Sequence, residues 1–459
     1  MGLYQHSSAC APRPDYTLAD DDSPDSLCPV VQLVVNFALT PGESSGSASL
    51  HRRGVMKPKL TVQVMGWALI ILSPFILFGL AELVVRLIDL RPAARPDAAV
   101  PAWLDRNILV KETKWIELLS SSPADLGNYY RTYRRDRYLF YRLNPNLDLP
   151  MTDVTAPPSI RERTRWVFHT NSKGYNAREA TYEKPAGVYR IVTMGDSSTF
   201  GWGVESAGIY PHVLDSTLRA RHPAMKIEVI NMGVCGYTSL QGRVLLRREG
   251  LDWHPDLLVI SYGSNDYSLV PESFESVYER NLGWSGALRE ALNGSRAYQV
   301  YASWLSSGVK GLASTGDAGS GSKGVLNVGP DSSYENLIEM ARVARKRGID
   351  PVYVANCVPD DMAAPMRAAA EATESPILET QPLLEDAVAL VASDPRFAAE
   401  KSRYRALYGN PLLDKFPWLT VYLTDECHPS LIGHRLIADA LVPIVEATPS
   451  FVQAAAESR

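Results

Sequence analysis

Cysteine is scarce in this chain: five in 459 residues, an odd number and too few for a disulfide framework to hold the body together. An excess of basic charge is missing as well. The 46 Lys and Arg stand against 51 Asp and Glu for a net charge of -5, which argues against a nucleic-acid partner bound through bulk charge. No group of His, Cys, Asp and Glu shows metal-ligand spacing, so no metal and no other cofactor is expected. Hydrophobic residues at 46% and charged residues at 21% exclude a disordered, collagen-like or coiled-coil body. At about 150 residues per domain the length fits two or three domains, or one long α/β unit with additions.

One long apolar run is present. Residues 60–81 read LTVQVMGWALIILSPFILFGLA without a charge, and as a helix they would extend ~32 Å, enough for a bilayer core. Pro74 lies inside, which a membrane helix tolerates. A buried core helix rarely runs so long without charge, and the apolar part of a signal peptide is about 7–15 residues long. Glu82 and Arg86 follow in place of a small-residue cleavage site. The run therefore predicts a retained single-pass transmembrane helix. Arg52, Arg53, Lys57 and Lys59 precede it, and Glu82, Arg86 and Asp89 follow. That asymmetry, softened by Arg91 and Arg95, puts the N-terminus in the cytoplasm and the main body outside the cell membrane.

Residues 1–55, rich in Ser, Asp and Pro, read as a poorly ordered tail. Met56 begins MKPKLTVQVM and is an alternative start to Met1. Residues 91–165 read as a linker and a flank: RPAARPDAAVP (91–101) is Pro/Ala-rich, and in 128–146 five Arg alternate with aromatic residues. That Tyr/Arg stretch reads as a flank whose rings pack on the main domain. The alternative is a surface that stacks sugar rings or binds anionic polymer.

From residue 188 onward β-prone runs alternate with helical patterns. The runs are YRIVTM (189–194), KIEVINMG (226–233), DLLVISYG (256–263), DPVYVANC (350–357) and TVYL (420–423). Between them, Tyr210, Val213, Leu214 and Leu218, then Leu337, Met340, Ala341 and Ala344, then Ile432, Leu436, Ile437, Ala440 and Ile444 follow helical spacing. This predicts an α/β fold, a three-layer αβα sandwich with a parallel sheet. It spans residues 166–448 with insertions at about 267–334 and 358–419; the Gly/Ser-rich run 316–324 reads as a mobile loop. Ligands of such sheets bind beyond the carboxyl ends of the strands.

At those ends stand Gly195-Asp196-Ser197-Ser198, then Cys235-Gly236-Tyr237, then Gly263-Ser264-Asn265-Asp266, and last Asp425-Glu426-Cys427-His428-Pro429. A serine hydroxyl needs an adjacent base to become a nucleophile. His428 can be that base if a carboxylate three residues away, Asp425, holds its other ring nitrogen. A developing oxyanion needs donors: the N–H of Ser197, the N–H of Gly236 and the Asn265 amide are suited. The blander readings are Ser197 as a helix cap, Asn265 as a turn residue, Asp196 as a brace of the turn, His434 as a surface or packing residue, and Asp266 and Glu426 as solvated or supporting groups. GESSG (42–46) matches a hydrolase pattern but follows no strand, and Asn293-Gly294-Ser295 matches a glycosylation acceptor; both read as chance.

The four blocks GDSS, VCGYTS, GSND and DECHP, in this order, resemble those of the SGNH (GDSL) hydrolase superfamily, over about residues 165–448. The stretch TNSKGYNAREATYEKPAGVYRIVTMGDSSTFGWGVE looks like membrane-anchored bacterial members. The resemblance implies a flavodoxin-like sheet, Ser197 as nucleophile, Gly236 and Asn265 as oxyanion-hole donors, and Asp425 with His428 completing a triad. Ser198 stands where many members carry Leu, and Tyr237 where many carry Asp, which leaves substrate preference open. The expectation is a serine esterase acting through an acyl-Ser197 intermediate on ester-bearing small molecules, envelope glycans or lipids. An O-acyltransferase in surface polysaccharide assembly and a non-catalytic binding protein of the same fold are the alternatives. Cys235, Cys357 and Cys427 fall at strand ends. They read as three partly buried free thiols, with a Cys357–Cys427 disulfide as the alternative in an oxidising compartment.

Overall fold

A computed structural model describes residues 58–90, 131–301 and 324–458, apart from 154, 155, 157, 271 and 359–361. The tail 1–55, the alternative start Met56, the linker 91–101 and the Gly/Ser-rich run 316–323 lie outside them. The chain divides into two units, Met1–Leu72 and Ser73–Arg459. Among the described residues the first unit holds only the N-terminal part of helix α1 (Pro58–Leu87). Within α1, Gly66–Leu87 is long and apolar enough to cross a membrane.

The second unit is built on five strands: β1 (Val188–Gly195), β2 (Lys226–Asn231), β3 (Leu257–Ser261), β4 (Asp350–Ala355) and β5 (Ile377–Glu379). They lie in the order β5-β4-β3-β1-β2, and every neighbouring pair is parallel. The helices that matter below are α2 (Ser197–Phe200), α3 (Tyr210–Arg221), α4 (Ser239–Arg248), α5 (Trp284–Asn293), α6 (Pro330–Arg345), α7 (Ala364–Ala372), α8 (Thr380–Ser393) and α9 (Leu431–Glu446).

Both faces of the sheet are covered, which is why its strands read as unbroken apolar runs. Successive side chains point to opposite faces. Val192 and Met194 of β1, Leu258 and Ile260 of β3, and Tyr353 and Ala355 of β4 pack with α4, α6 and α7. Tyr189 and Ile191, Leu257 and Val259, and Val352 and Val354 pack on the other side with α3, α8 and α9. This is the three-layer sandwich the alternation predicts. From β1 the chain steps outward to β2 and then returns past β1 to β3. The carboxyl ends of β1 and β3 therefore flank a switch point where neighbouring connections leave on opposite sides and open a crevice.

Two expectations need correction. TVYL is not a strand: Pro417–Thr420 forms a 3-10 turn, and Tyr422 makes a single antiparallel bridge to Pro429. The edge beyond β4 is taken by β5, so this run has no strand to pair with, and Leu419, Val421, Tyr422 and Leu423 are buried as a loop. β5 and α8 come from 358–419, so that stretch contributes to the sandwich itself. The second correction concerns the thiols. Cys357 and Cys427 are joined in a disulfide with Cα atoms 4.7 Å apart, and Cys235 is buried outside that bond. The bond forms because the loop before α9 folds back over the carboxyl end of β4.

The flank supplies two antiparallel pairs, Tyr133–Asp136 with Phe140–Leu143 and Leu147–Met151 with Trp166–Thr170. Leu139, Phe140, Tyr141 and Leu143 are buried in the core that α4 and α6 share. Arg142 pairs with Glu249. Among the described residues of the Tyr/Arg stretch, the rings of Tyr133, Tyr138, Phe140 and Tyr141 thus pack on the main domain. The excursion from 267 to 334 is closed at its base where Leu269–Val270 pairs with Val325–Leu326.

Candidate active site

β1 runs into a tight turn. A Cβ on Gly195 would meet the carbonyl oxygen of Ser261 at 2.6 Å, so only glycine lets β1 approach β3 here. Asp196 then caps α2, its carboxylate accepting from the Ser198 N–H at 2.9 Å; the brace expected of it is present. Ser197 is the first residue of α2, so its own N–H has no partner within the helix.

The Ser197 hydroxyl lies 2.7 Å from Nε2 of His428. His428 Nδ1 lies 2.5 Å from Asp425 Oδ2. The other Asp425 oxygen accepts from the backbone N–H groups of Cys427 (3.1 Å) and His428 (3.0 Å). Three side chains from two distant motif blocks form one hydrogen-bonded line. Asn265 joins the same crevice: its amide donates to the Tyr237 carbonyl at 3.1 Å and to Asp196 Oδ2 at 3.3 Å. It is therefore held between the residue before Ser197 and the residue after Gly236. Gly236 has φ +79°, a left-handed conformation open to glycine that lets the backbone turn at the crevice without a side chain.

Burial favours the neutral form of both members of the Asp–His pair, yet each is shifted toward charge. For Asp425, burial pushes the carboxyl up, but His428 and the two backbone donors outweigh it and hold the pKa below the usual value. For His428, burial pushes the imidazole down, and the Asp425 carboxylate, helped by Asp196 and Asp153, overcomes it and raises the pKa.

A model of the GDSL-like lipase/acylhydrolase family matches residues 193–436, more than half of the chain. The chain belongs to that family. It is an ester-hydrolysing enzyme. No curated protein matches it. Among solved structures the chain is similar to TesA (15% identity over 56% of this chain and 98% of that one, TM-score 0.33). It is also similar to Axe2, an acetylxylan esterase from Geobacillus stearothermophilus (15% over 56% and 93%, TM-score 0.33). A third is LAE5, an alpha/beta hydrolase from the metagenome of Lake Arreo, Spain (17% over 58% and 97%, TM-score 0.32).

Several residues around the family's motif blocks have settings the sequence does not announce. Asp153, in the flank, is buried, and its Oδ2 accepts from the Thr424 hydroxyl at 3.0 Å, beside Asp425. Tyr237 donates from its hydroxyl to the Tyr141 carbonyl (2.6 Å), and the Tyr141 hydroxyl donates to the Cys235 carbonyl (2.8 Å). The flank thus covers the Gly236 turn on one side and braces the Asp425–His428 loop on another. Asp266 is not solvated: it is buried and accepts from the Ser239 N–H (2.8 Å) and the Ser333 hydroxyl (2.7 Å), tying α4 to α6. His434 is a packing residue, stacked on Tyr210 and accepting from its N–H at 3.2 Å; burial pushes its pKa down to about 3. Among the described residues no group of His, Cys, Asp and Glu is placed to hold a metal.

Proposed function

We propose that the enzyme is a serine esterase in which Ser197, His428 and Asp425 act as a triad. The observation that carries the reading is the continuous line from the Ser197 hydroxyl through both His428 nitrogens to Asp425. His428 Nε2 takes the Ser197 proton as the oxygen attacks the ester carbonyl, and the resulting imidazolium is held by Asp425. The negative charge that forms on the carbonyl oxygen is met by the Ser197 N–H, the Gly236 N–H and the Asn265 amide. In such sites each donor is worth about 3–4 kcal/mol when removed. Collapse expels the alcohol, which takes its proton from His428 and leaves an acyl-Ser197 ester. Water, deprotonated by His428, then releases the acid and restores the serine.

The substrates we infer are esters on envelope glycans or lipids, cleaved outside the cytoplasmic membrane to which α1 anchors the enzyme. Two features support that placement: the apolar stretch of α1, and a disulfide of the kind that persists in oxidising compartments.

The test is hydrolysis of p-nitrophenyl acetate and longer-chain esters by the full chain in detergent, beside Ser197→Ala. The parent is expected to turn over, with a chain-length preference that bounds the acyl group. The variant is expected to lose on the order of 10⁶ in kcat. Undiminished turnover in Ser197→Ala, or none from a folded parent, would sink the proposal. Consumption of an acyl donor only when a sugar hydroxyl is supplied would make a glycan, and not water, the acceptor.

A further inference from the structure

Helix α5 turns its apolar side outward. In WSGALREALN the residues Trp284, Ala287, Leu288 and Ala291 share one face, at spacings i, i+3, i+4 and i+7. All four are exposed, Trp284 at 80% and Leu288 at 50%, and Leu282 just before them is 51% exposed. The other side of the helix is fixed to the protein. Glu290 pairs with Arg135 at 3.0 Å. Arg137 donates to the carbonyls of Asn281 (2.7 Å), Leu282 (3.1 Å) and Gly283 (3.2 Å). A Cβ on Gly286 would meet the Asn281 carbonyl carbon at 2.7 Å, so the helix sits close against the turn that leads into it. The outward face is held in place.

The next residues say what lies near it. Directly after α5, Ser295 donates from its hydroxyl to Glu82 Oε2 (2.7 Å), and the N–H groups of Arg296 and Ala297 donate to the same carboxylate at 3.1 and 2.8 Å. Arg296 also pairs with Asp89 at 2.8 Å. Glu82 is the first charge after the apolar run of residues 60–81. The end of α5 is thus tied to the point on α1 where a bilayer core would give way to headgroups. Tryptophan concentrates at that depth, and a helix with Trp and Leu on one face and charges on the other lies in the plane of the interface.

We infer that α5 docks on the lipid surface, with Trp284 and Leu288 inserted into the bilayer that α1 crosses. The inference rests on the reading of α1 as a membrane anchor. The catalytic domain is then seated on the membrane by two attachments, α1 and the outward face of α5.

The experiment uses the full chain, one copy per nanodisc, in lipids brominated near the headgroup end of the acyl chains, and reads tryptophan quenching. Trp67, within the apolar run, reports the anchor; Trp284 reports α5. Quenching that falls in both Trp67→Phe and Trp284→Phe is the expected result. Leu288→Glu is expected to remove the Trp284 share while leaving hydrolysis of a soluble p-nitrophenyl ester unchanged. If Trp67→Phe lowers quenching and Trp284→Phe does not, docking is overturned and the anchor stands. If neither does, the anchor reading fails and docking with it. Emission from Trp284 that is blue-shifted but unquenched means that another part of the chain covers α5, and overturns docking as well.

Discussion

His428 is buried, and burial alone would leave it a weaker base than a free imidazole. The Asp425 carboxylate reverses this, and the sign fixes a pH profile. In the proposed mechanism the base must be neutral to act, so activity is expected to rise as His428 loses its proton. Because its pKa is raised, the acid limb of kcat/KM is expected above the ordinary histidine value of 6.5. Among the described residues, the charges that raise the His428 pKa include Asp425, Asp196 and Asp153. Asp153→Asn keeps an acceptor for Thr424 but removes one of these charges. Its acid limb is expected to move to lower pH, while plateau kcat falls by less than about tenfold, under about 1.4 kcal/mol of barrier. Asp153→Ala loses the hydrogen bond as well and is expected to destabilise by about 1 kcal/mol, read as a lower Tm. A pH profile of Asp153→Asn that overlays the parent would show that Asp153 acts on the loop alone. The contrast with the motif residues is physical. Ser197, Gly236, Asn265, Asp425 and His428 each stand in a local pattern because a turn and its donors are specified by neighbouring residues. Asp153 meets Thr424 only through packing of distant segments, so MTDV (151–154) gives no sign of it.

At the scale of elements, periodicity carried the sheet and its helices because strands buried on both faces and helices with one buried face leave strong patterns. Leu337, Met340, Ala341 and Ala344, for example, are all buried. It failed at TVYL, four residues whose state depends on whether a strand edge is free beside them. It also passed over β5, three partly buried residues with no such pattern. The consequence is that His428 comes from a loop, which lacks the hydrogen-bond ladder that fixes β1 and β3. The Cys357–Cys427 bond, across a separation of 70 residues, supplies the missing constraint by joining the loop to the end of β4. Closing a loop of that length stabilises by on the order of 4 kcal/mol in the chain-entropy account. Replacing both cysteines with Ser is expected to lower Tm by several degrees. It is also expected to lower kcat by up to about 100-fold with a smaller change in KM, because a misplaced base costs turnover more than binding. Differential thiol labelling checks the premise: Cys357 and Cys427 should label only after reduction, and Cys235 only after unfolding. Unchanged Tm and kcat in the double variant would show that the loop is held by Asp425 and Asp153 without the bond.

For the molecule as a whole, the apolar run of α1 was legible because length and absence of charge suffice to mark it. The outward face of α5 was not, since WSGALREALN has the same pattern whether its stripe meets a core or a bilayer. The proposed anchor and docked helix would together have a kinetic consequence. An enzyme held to a membrane meets esters in that membrane at an effective concentration set by the tether, which raises encounter by about 10²–10⁴ over free partners when the geometry permits. With the full chain in one vesicle population and a fluorogenic ester lipid placed in either the same or a second population, hydrolysis of the ester in the shared bilayer is expected to be faster by at least that lower factor. Both rates are expected to vanish in Ser197→Ala. Soluble p-nitrophenyl acetate, which gains nothing from confinement, is expected to be cleaved at one rate in either arrangement. Equal rates on the shared and separate lipid would mean that the crevice does not reach bilayer-borne esters, and would point to esters on glycans that extend away from the membrane.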